Sequence, residues 1–351
     1  MVARGSWAAE GSVHPAAGEV SYAWASSRIG SPLWGMAFGD IDGTGRKLLL
    51  LERGRVLVGK LGEKGFEQQA LCDLPGRAEG ARIYTMDLDG DGVEEIVVSA
   101  VEEGLPASLA LSFKDGKCRT LFERERWSLR VIEDLQARKT LTGQSWSSDS
   151  FFFGPVFELK FEGKKLKKVQ KIGLPTAVNL FQFAALPGED ERLAVIKGYQ
   201  PLEVYEKMSR RFKRTWRTGV RFGGGLNILA TSQRAVLGEE MADMVEFNLS
   251  PLVSVRGADF ALIAPRHDMP LKGFIGRRPS VHGATVVEFR PDPALFFEEI
   301  SRTINIPGAI VDYVIGDLRS EGKQRLFVLM QDDPSMFKEG ERSIIFEFEM
   351  P

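Results

Sequence analysis

The segment Ile83-Tyr-Thr-Met-Asp-Leu-Asp-Gly-Asp-Gly-Val-Glu-Glu-Ile-Val-Val98 decides the fold of this chain. An acidic loop with two glycines lies between two apolar runs, which predicts a strand, a tight loop and a second strand. Oxygen-bearing side chains stand at positions 1, 3, 5 and 9 of the loop, namely Asp87, Asp89, Asp91 and Glu95. Val93 offers its backbone carbonyl at position 7. This set of hard oxygen ligands predicts a Ca²⁺ site.

The loop has two interpretations other than a Ca²⁺ site. An EF-hand needs a bidentate Glu at position 12, where this chain has Val98, and it needs flanking helices rather than β-branched runs. A plain acidic turn without metal is the second alternative. Three neighbouring Asp side chains repel one another unless a cation lies among them, which favours bound Ca²⁺.

A similar unit precedes this one. Trp34-Gly-Met-Ala-Phe-Gly-Asp-Ile-Asp-Gly-Thr-Gly45 is followed by three strand-like runs at 47–51, 55–58 and 66–71. Four short strands in roughly forty residues are typical of a β-propeller blade. Its loop retains Asp40, Asp42 and Thr44 but has Leu48 at position nine, so it predicts at most a weaker metal site.

Further copies begin near Ser128, Leu180, Leu252 and Ile310, and the last copy is one strand short. Ser21–Arg28 resembles the fourth strands of other copies, so we expect it to pair with Ser343–Phe348 and close the ring. The predicted fold is an all-β propeller of six blades. Seven is the alternative, if residues 222–250 form a blade. Within that segment, the near-helical spacing of Val236, Met241, Met244 and Val245 predicts a short amphipathic helix over Ser232–Phe247.

Composition limits the remaining choices. The chain has 351 residues, 43% of them hydrophobic, and a formal net charge of -2. Bulk charge therefore argues for neither nucleic acid nor a membrane surface as partner, and no apolar run is long enough to span a membrane. We expect a flexible leader over 1–19 and a single propeller domain over 20–351. Cys72 and Cys118 fall on outer strands, and isolated buried thiols are the expected state.

The repeated phrase from Trp34, with its second copy at the Asp87 loop, resembles the FG-GAP or VCBS repeats of integrin-α-like propellers. The order of blades is similar to that of propeller domains in bacterial envelope proteins, which often follow a TolB-like domain. The resemblance covers about residues 20–350 and implies a periplasmic or extracellular location. The chain departs from the pattern elsewhere, since Arg319 stands at position three of the sixth loop and the fourth loop contains Pro187.

Strand order predicts where the long connections lie. In a blade, connections between the first and second and between the third and fourth strands share one mouth of the propeller, and the remaining connections share the other. The acidic loops thus lie at one mouth, and the long insertions at 145–155, 222–250 and 266–283 lie at the opposite mouth. Insertions gathered on one face indicate a binding face. The residues proposed to attract an anionic ligand there are Arg266, His267, Lys272, Arg277 and Arg278.

The remaining features are weaker. Basic runs at 164–171 and 210–217 fall on outer strands, where charge protects an edge from pairing, and this is favoured over nucleic-acid binding. No HExxH, GxSxG or CxxC pattern occurs. The expected function is non-catalytic binding or scaffolding of a protein or polysaccharide in the bacterial cell envelope, without direct membrane insertion. The alternative is an enzyme that acts on a glycan or lipid at the central channel.

Overall fold

The computed structural model shows six small antiparallel sheets arranged as the blades of a β-propeller. The structure describes residues 18–134, 138–188, 191–225, 227–231, 243–256, 259–269, 274–275, 278–279, 281–292, 296–319, 321–331 and 342–349. Within these residues there is no helix. The predicted fold class is therefore confirmed.

The first half of the chain supplies two N-terminal strands and three blades. The N-terminal strands are β1 (Glu19–Val20) and β2 (Tyr22–Ala25). Blade 1 consists of β3 (Gly35–Gly39), β4 (Lys47–Leu51), β5 (Arg55–Leu61) and β6 (Phe66–Asp73). Blade 2 consists of β7 (Glu79–Met86), β8 (Glu95–Glu102), the short β9 (Leu105–Pro106), β10 (Ser108–Lys114) and β11 (Lys117–Glu125). Blade 3 consists of β12 (Ser128–Glu133), β13 (Lys139–Ser147), β14 (Ser150–Glu162) and β15 (Lys165–Lys171).

The second half supplies three blades and two hairpins. Blade 4 consists of β16 (Phe183–Leu186), β17 (Arg192–Val195), β18 (Gln200–Met208) and β19 (Arg211–Phe222). The first hairpin consists of β20 (Ile228–Thr231) and β21 (Asp243–Glu246). Blade 5 consists of β22 (Leu252–Arg256), β23 (Asp259–Asp268), β26 (Gly283–Pro291) and β27 (Phe297–Thr303), with the hairpin β24 (Phe274–Ile275) and β25 (Arg278–Pro279) inserted. Blade 6 consists of β28 (Ala309–Gly316), β29 (Arg325–Gln331) and β30 (Ser343–Phe348), completed by β2.

The N-terminal segment closes the ring. β2 runs antiparallel to β30, with Tyr22 opposite Phe348 and Ala25 opposite Phe346, as the sequence predicts. β1 adds an unpredicted fifth strand to blade 5 by pairing parallel with β27. The first strands of the chain therefore hold the last two blades together, which leaves β30 without an open edge.

Neighbouring blades are held together by apolar packing. Each pair of adjacent blades shares a cluster of buried side chains within the described residues. Between blades 1 and 2, for example, Leu49, Ile83 and Val98 are at most 2% exposed. Burial of each such side chain contributes about 1.5–3 kcal/mol, so the ring is stabilised mainly at the contacts between blades.

The segment that raised the possibility of a seventh blade forms a two-stranded hairpin instead. A short helix was expected over Ser232–Phe247, but residues 243–246 are strand β21; residues 232–242 lie outside the described part. Val245 and Phe247 both pack inward, at the two-residue spacing of a strand. The expected helix is therefore wrong at its C-terminal end.

The expectation of isolated thiols is also wrong. Cys72 on β6 and Cys118 on β11 form a disulfide, with their Cα atoms 5.6 Å apart. This separation suits a disulfide, and it arises because the outer strands of blades 1 and 2 lie side by side. Residues 46 apart in sequence are thus joined across two blades.

Candidate functional site

The acidic loop between β7 and β8 folds around Asp87. The Asp87 carboxylate accepts the backbone N–H groups of Gly90 and Gly92 at 2.7 and 3.0 Å. Both glycines have positive φ, 83° and 87°, a conformation that strains other residues. The turn brings one carboxylate oxygen each from Asp87, Asp89 and Glu95 within 4.8 Å of one another. Three of the predicted ligands therefore converge.

The electrostatics of this cluster fit a divalent cation. Glu95 is buried, and its Oε2 accepts the N–H of Leu88 at 2.8 Å. Burial raises the pKa of Glu95 to about 7, and the negative charges of the neighbouring Asp side chains act in the same direction. The hydrogen bond from Leu88 opposes this rise in the pKa. A hard cation would offset that crowding of negative charge. The residues thus offer the donor chemistry that Ca²⁺ requires.

The other two predicted ligands have a different position. Asp91 lies outside the converging group, and its Oδ1 accepts the N–H of Val93 at 2.8 Å. This contact shapes the turn. The ligand roles of Asp91 and of the Val93 carbonyl stay predictions.

In blade 1, the ammonium group of Lys47, at the start of β4, lies beside the corresponding loop. The Lys47 ammonium lies 3.4 Å from Asp42 Oδ2 and donates to Thr44 Oγ1 at 3.0 Å. Asp40 accepts the N–H of Gly45 at 3.1 Å. The pKa of Asp42 is lowered. Burial alone would raise this pKa, but the hydrogen bonds from Thr44 and the charge of Lys47 outweigh burial. Lys47 therefore supplies positive charge to the predicted weaker metal ligands.

The loop of blade 6 also relies on side-chain cations. Arg319 and Arg325, at positions three and nine, both bind the buried carboxylate of Glu347. Asp317 accepts the N–H groups of Glu321 and Gly322 at 2.9 and 2.6 Å. The hydrogen bond from the sixth residue to the first Asp thus recurs in all three loops, and the loop shape persists where acidic ligands are lost.

The three long insertions meet at the opposite mouth. The ring of Phe151, from residues 145–155, lies 5.8 Å from that of Phe247, from residues 222–250. Gly223 of the second insertion donates its N–H to the backbone carbonyl of Pro265 at 2.9 Å, and Pro265 directly precedes the third insertion. A Cβ on Gly223 would lie 2.4 Å from the Gly198 carbonyl oxygen, so only glycine fits this close approach.

The second insertion fills the channel at this mouth. Leu229 and Phe247 are buried in an aromatic cluster with Phe151 and Phe181. The Asn227 amide donates to the backbone carbonyls of Trp34 and Ala81, on the inner sides of blades 1 and 2. The segment therefore packs at this mouth and joins several blades.

Buried charges in the channel were not found from the sequence. Arg82 donates to the carbonyls of Val311 and Asn248, both at 2.9 Å, and lies 3.4 Å from Asp312 Oδ1. Burial raises the pKa of Asp312, although Arg82 opposes this. The sequence feature that could have predicted this buried charge is Arg82 itself, a charged residue between Ala81 and Ile83 in an innermost strand.

Two further ionisable groups lie in the channel. Arg130 donates to the carbonyls of Leu180 and Phe183 at 2.8 and 2.7 Å. Glu246 has a buried Oε1 without a hydrogen-bond partner among the described residues. Burial raises the pKa of Glu246 to about 7, although the charge of Arg82 opposes this.

The proposed cationic face needs one correction. His267 is 1% exposed, its Nδ1 lies 2.8 Å from the Gly223 carbonyl, and its Nε2 accepts the N–H of Ile310 at 3.0 Å. Its ring is thus neutral, and burial lowers its pKa. His267 fixes an insertion to the ring instead of facing a ligand. Arg266 is half-buried. Lys272 and Arg277 lie outside the described residues, and only the backbone of Arg278 is described.

The mouth on the side of the acidic loops carries mixed charge. Burial raises the pKa of Glu133, although the positive charges of Lys139 and Arg46 oppose this. Lys139 in turn binds Glu94 and donates to Thr85 Oγ1 at 3.0 Å. Cations and carboxylates alternate here, so no pair of carboxylates stands isolated in this group.

No protein-family model matches the chain, and no curated protein matches it. The fold and the side-chain geometry are therefore the grounds for a functional assignment. Among the described residues, no helix has the length and apolar character needed to cross a membrane.

Proposed function

We propose that this propeller is a non-catalytic binding or scaffolding protein whose partner docks on the insertion-bearing mouth. The observation that carries the proposal is that insertions from different blades meet there, through Phe151 with Phe247 and through Gly223 with His267. Connections in a compact fold need only about two to five residues, so stability alone does not require so much extra chain.

The exposed residues of these insertions favour a protein partner over a polysaccharide. Phe153 is 53% exposed and Met244 is 44% exposed, although both adjoin the buried aromatic cluster. Large apolar side chains that remain in water at the rim of a packed surface are typical of protein-binding sites. Arg266, half-buried beside the same mouth, adds positive charge.

Ca²⁺ in the blade 2 loop and a location in the cell envelope belong to this proposal. The converging carboxylates of Asp87, Asp89 and Glu95 support the metal. The disulfide between Cys72 and Cys118 supports an oxidising compartment, because such bonds are rarely stable in the cytosol. Membership of the FG-GAP or VCBS repeat proteins stays a proposal that rests on the sequence resemblance.

The enzyme alternative has two observations in its favour, the raised pKa of Glu133 at the other mouth and the raised pKa of Glu246 in the channel. The Oε1 atom of Glu246 is buried, so a substrate in solution does not reach it. A catalytic pair of carboxylates would need a second acid in a distinct environment. Glu133 is surrounded by the charges of Lys139 and Arg46, which suit a structural ion cluster. Binding therefore remains the favoured function.

The test compares two surface variants of the full chain as bait in quantitative affinity capture. Phe153→Ser with Met244→Ser alters only exposed side chains of the insertion mouth. We expect proteins captured by the parent to be reduced at least about tenfold, because central apolar contacts each contribute about 1–2 kcal/mol. The matched control is Phe296→Ser, an equally large and exposed side chain, 55%, on a connection at the opposite mouth.

The two variants must retain the melting temperature of the parent for the comparison to hold. Equal capture by the parent and the double variant would contradict the proposed face. Loss of capture in Phe296→Ser alone would place the partner at the mouth with the acidic loops.

A further inference from the structure

The outer strands of blades 3 and 4 carry an excess of positive charge. Residues 160–221 contain 15 Lys and Arg against 6 Asp and Glu, whereas the whole chain has a formal net charge of -2. We call the exposed face of β15 and β19, with the turns that precede them, the basic band. Charge is thus strongly segregated on this molecule, and the basic band is its positive side.

Several of these cations are not neutralised within the part of the chain that the structure describes. Six exposed cations of the basic band have no carboxylate partner among the described residues: Lys164, Lys171, Arg210, Arg211, Lys213 and Arg217. Acids of the same blades are already engaged, since Glu162 binds Lys167 and Glu203 binds Arg214. The basic band therefore presents unpaired cations to solvent.

The two strands form one continuous surface. Gly173, just beyond the end of β15, lies against the start of β19: a Cβ on it would be 3.7 Å from Cε2 of Phe212. The end of one basic strand thus meets the beginning of the next. The cations therefore lie on the outer strands of two neighbouring blades.

Protection of edge strands accounts for some positive charge but not for its accumulation on two consecutive strands. Charged side chains, Lys above all, keep an edge from pairing, but acids serve as well. The outer strand of blade 1, β6, carries Glu67 and Asp73 instead. Unpaired like charges repel one another, so their accumulation on two consecutive strands is a cost to the folded state. A polyanionic partner would offset that cost.

Exposed aliphatic side chains accompany the cations. Val169 is 55% exposed on β15, Val220 is 46% exposed on β19, and Met208 is 45% exposed just before β19. The aromatic residues of the band, Phe212 and Trp216, pack inward. Phe212 lies against the apolar cluster between blades 3 and 4, and the Trp216 ring lies 5.8 and 5.2 Å from the rings of Phe289 and Phe297. Nucleic-acid surfaces use aromatic rings for stacking, whereas bilayer surfaces combine cations with aliphatic side chains.

We propose that the basic band docks the side of the propeller onto the surface of an anionic phospholipid bilayer. Lys and Arg would bind the headgroup phosphates, and Val169, Val220 and Met208 would lie at the boundary of the acyl chains. The contact is peripheral and leaves both mouths open to solvent. It is independent of the partner proposed for the insertion-bearing mouth.

The test is co-sedimentation with phosphatidylcholine vesicles, with and without about 30% phosphatidylglycerol, at low and high salt. The band variant carries Lys171→Glu, Arg211→Glu and Lys213→Glu. The matched control carries Lys114→Glu, Lys117→Glu and Arg119→Glu, which are equally exposed cations on blade 2. We expect the parent to bind only the anionic vesicles, and the band variant to bind them on the order of a hundredfold more weakly. The control should stay within about threefold of the parent.

A second variant, Val169→Ser with Val220→Ser, tests the aliphatic contact. It should retain low-salt binding and lose the part that survives high salt, because only the electrostatic part is screened. Melting curves establish that each variant is folded, and single Lys213→Gln replaces the triple variant if that one is not. Equal binding by the band variant and the control would overturn the proposal. Tighter binding of a single-stranded oligonucleotide than of anionic vesicles would also overturn it.

Discussion

At the scale of single residues, position-by-position changes decide whether an acidic loop needs a metal. The loops of blades 1 and 2 share the first Asp and the sixth Gly, but Lys47 follows in blade 1 where Glu94 follows in blade 2. The Lys47 ammonium lies 3.4 Å from Asp42 Oδ2. Glu95 instead adds a third carboxylate to Asp87 and Asp89. We therefore expect metal dependence in blade 2 alone.

Removal of one ligand tests this expectation. Asp89→Ala should abolish the stabilisation of the protein by Ca²⁺, because a ligand that binds only the folded state stabilises it by mass action. At about 100 times the dissociation constant the effect in the parent is about 2.7 kcal/mol. Melting temperatures with Ca²⁺ and with chelator measure it.

Asp42→Ala is the matched control for that experiment. It removes an acid at the same loop position in blade 1, and it should leave the response to Ca²⁺ unchanged. If the parent melts at the same temperature with Ca²⁺ and with chelator, the metal has no part in this protein.

At the scale of strands, the outermost elements hold the ring in addition to the apolar clusters. β2 completes blade 6, β1 extends blade 5, and a disulfide joins β6 to β11. Each of these links connects residues that are distant in sequence. The two strand pairings stabilise the folded ring through their own contacts, whereas the disulfide is covalent and also restricts the unfolded chain.

The disulfide gives a direct measure of this effect. Replacing Cys72 and Cys118 by Ser should lower the free energy of unfolding by about 2–4 kcal/mol, because a closed loop of this size limits the unfolded ensemble. Urea unfolding, with and without a thiol reductant, measures the change. Reductant should destabilise the parent and leave the double variant unaffected. An equal response of the two proteins would show that the bond does not contribute.

At the scale of the whole molecule, the channel is filled by the chain itself. Phe247, Leu229 and the Asn227 amide occupy one mouth, and Arg82 ties them to blade 6. Burial of Glu246 in this filling raises its pKa to about 7, above its ordinary 4.5. The stability of the ring therefore depends on pH through the channel.

The sign of this dependence follows from proton binding. Between about pH 4.5 and 7, folded Glu246 holds a proton that the unfolded chain has lost, so its contribution is present at low pH and is lost as pH rises through 7. His267 has the opposite effect. Its pKa is lowered in the folded protein, so the free energy of unfolding decreases as pH falls below about 6.5, where the unfolded histidine takes up a proton. Comparing the parent with Glu246→Gln isolates the Glu246 contribution from that of His267.

Glu246→Gln should gain about 2–3 kcal/mol relative to the parent between about pH 5 and pH 8, because the amide stays neutral throughout. Urea unfolding at the two pH values measures the free energies. A difference between the two proteins that does not change with pH would show that Glu246 has an ordinary pKa.

Local spacing was sufficient to predict the blades and the converging ligands. The apolar runs around Asp87 and Asp40 have the two-residue period of strands, and glycine positions fix the turns. The same reasoning predicted that β2 pairs with β30 and that 145–155, 222–250 and 266–283 share a mouth, because strand order alone determines these placements. It failed for Ser232–Phe247, since apolar spacing in a short segment fits helix and strand alike.

The sequence by itself therefore determined the six-bladed ring, its closure and the convergence of Asp87, Asp89 and Glu95, all of which depend on residues near one another in the chain or on strand order. Tertiary structure alone decided the rest. The pairing of Cys72 with Cys118, the burial of His267, and the Arg82 contacts with Asp312 and Asn248 each join different blades. Such contacts depend on the distance and dielectric between elements brought together by folding, and local periodicity carries no information about either.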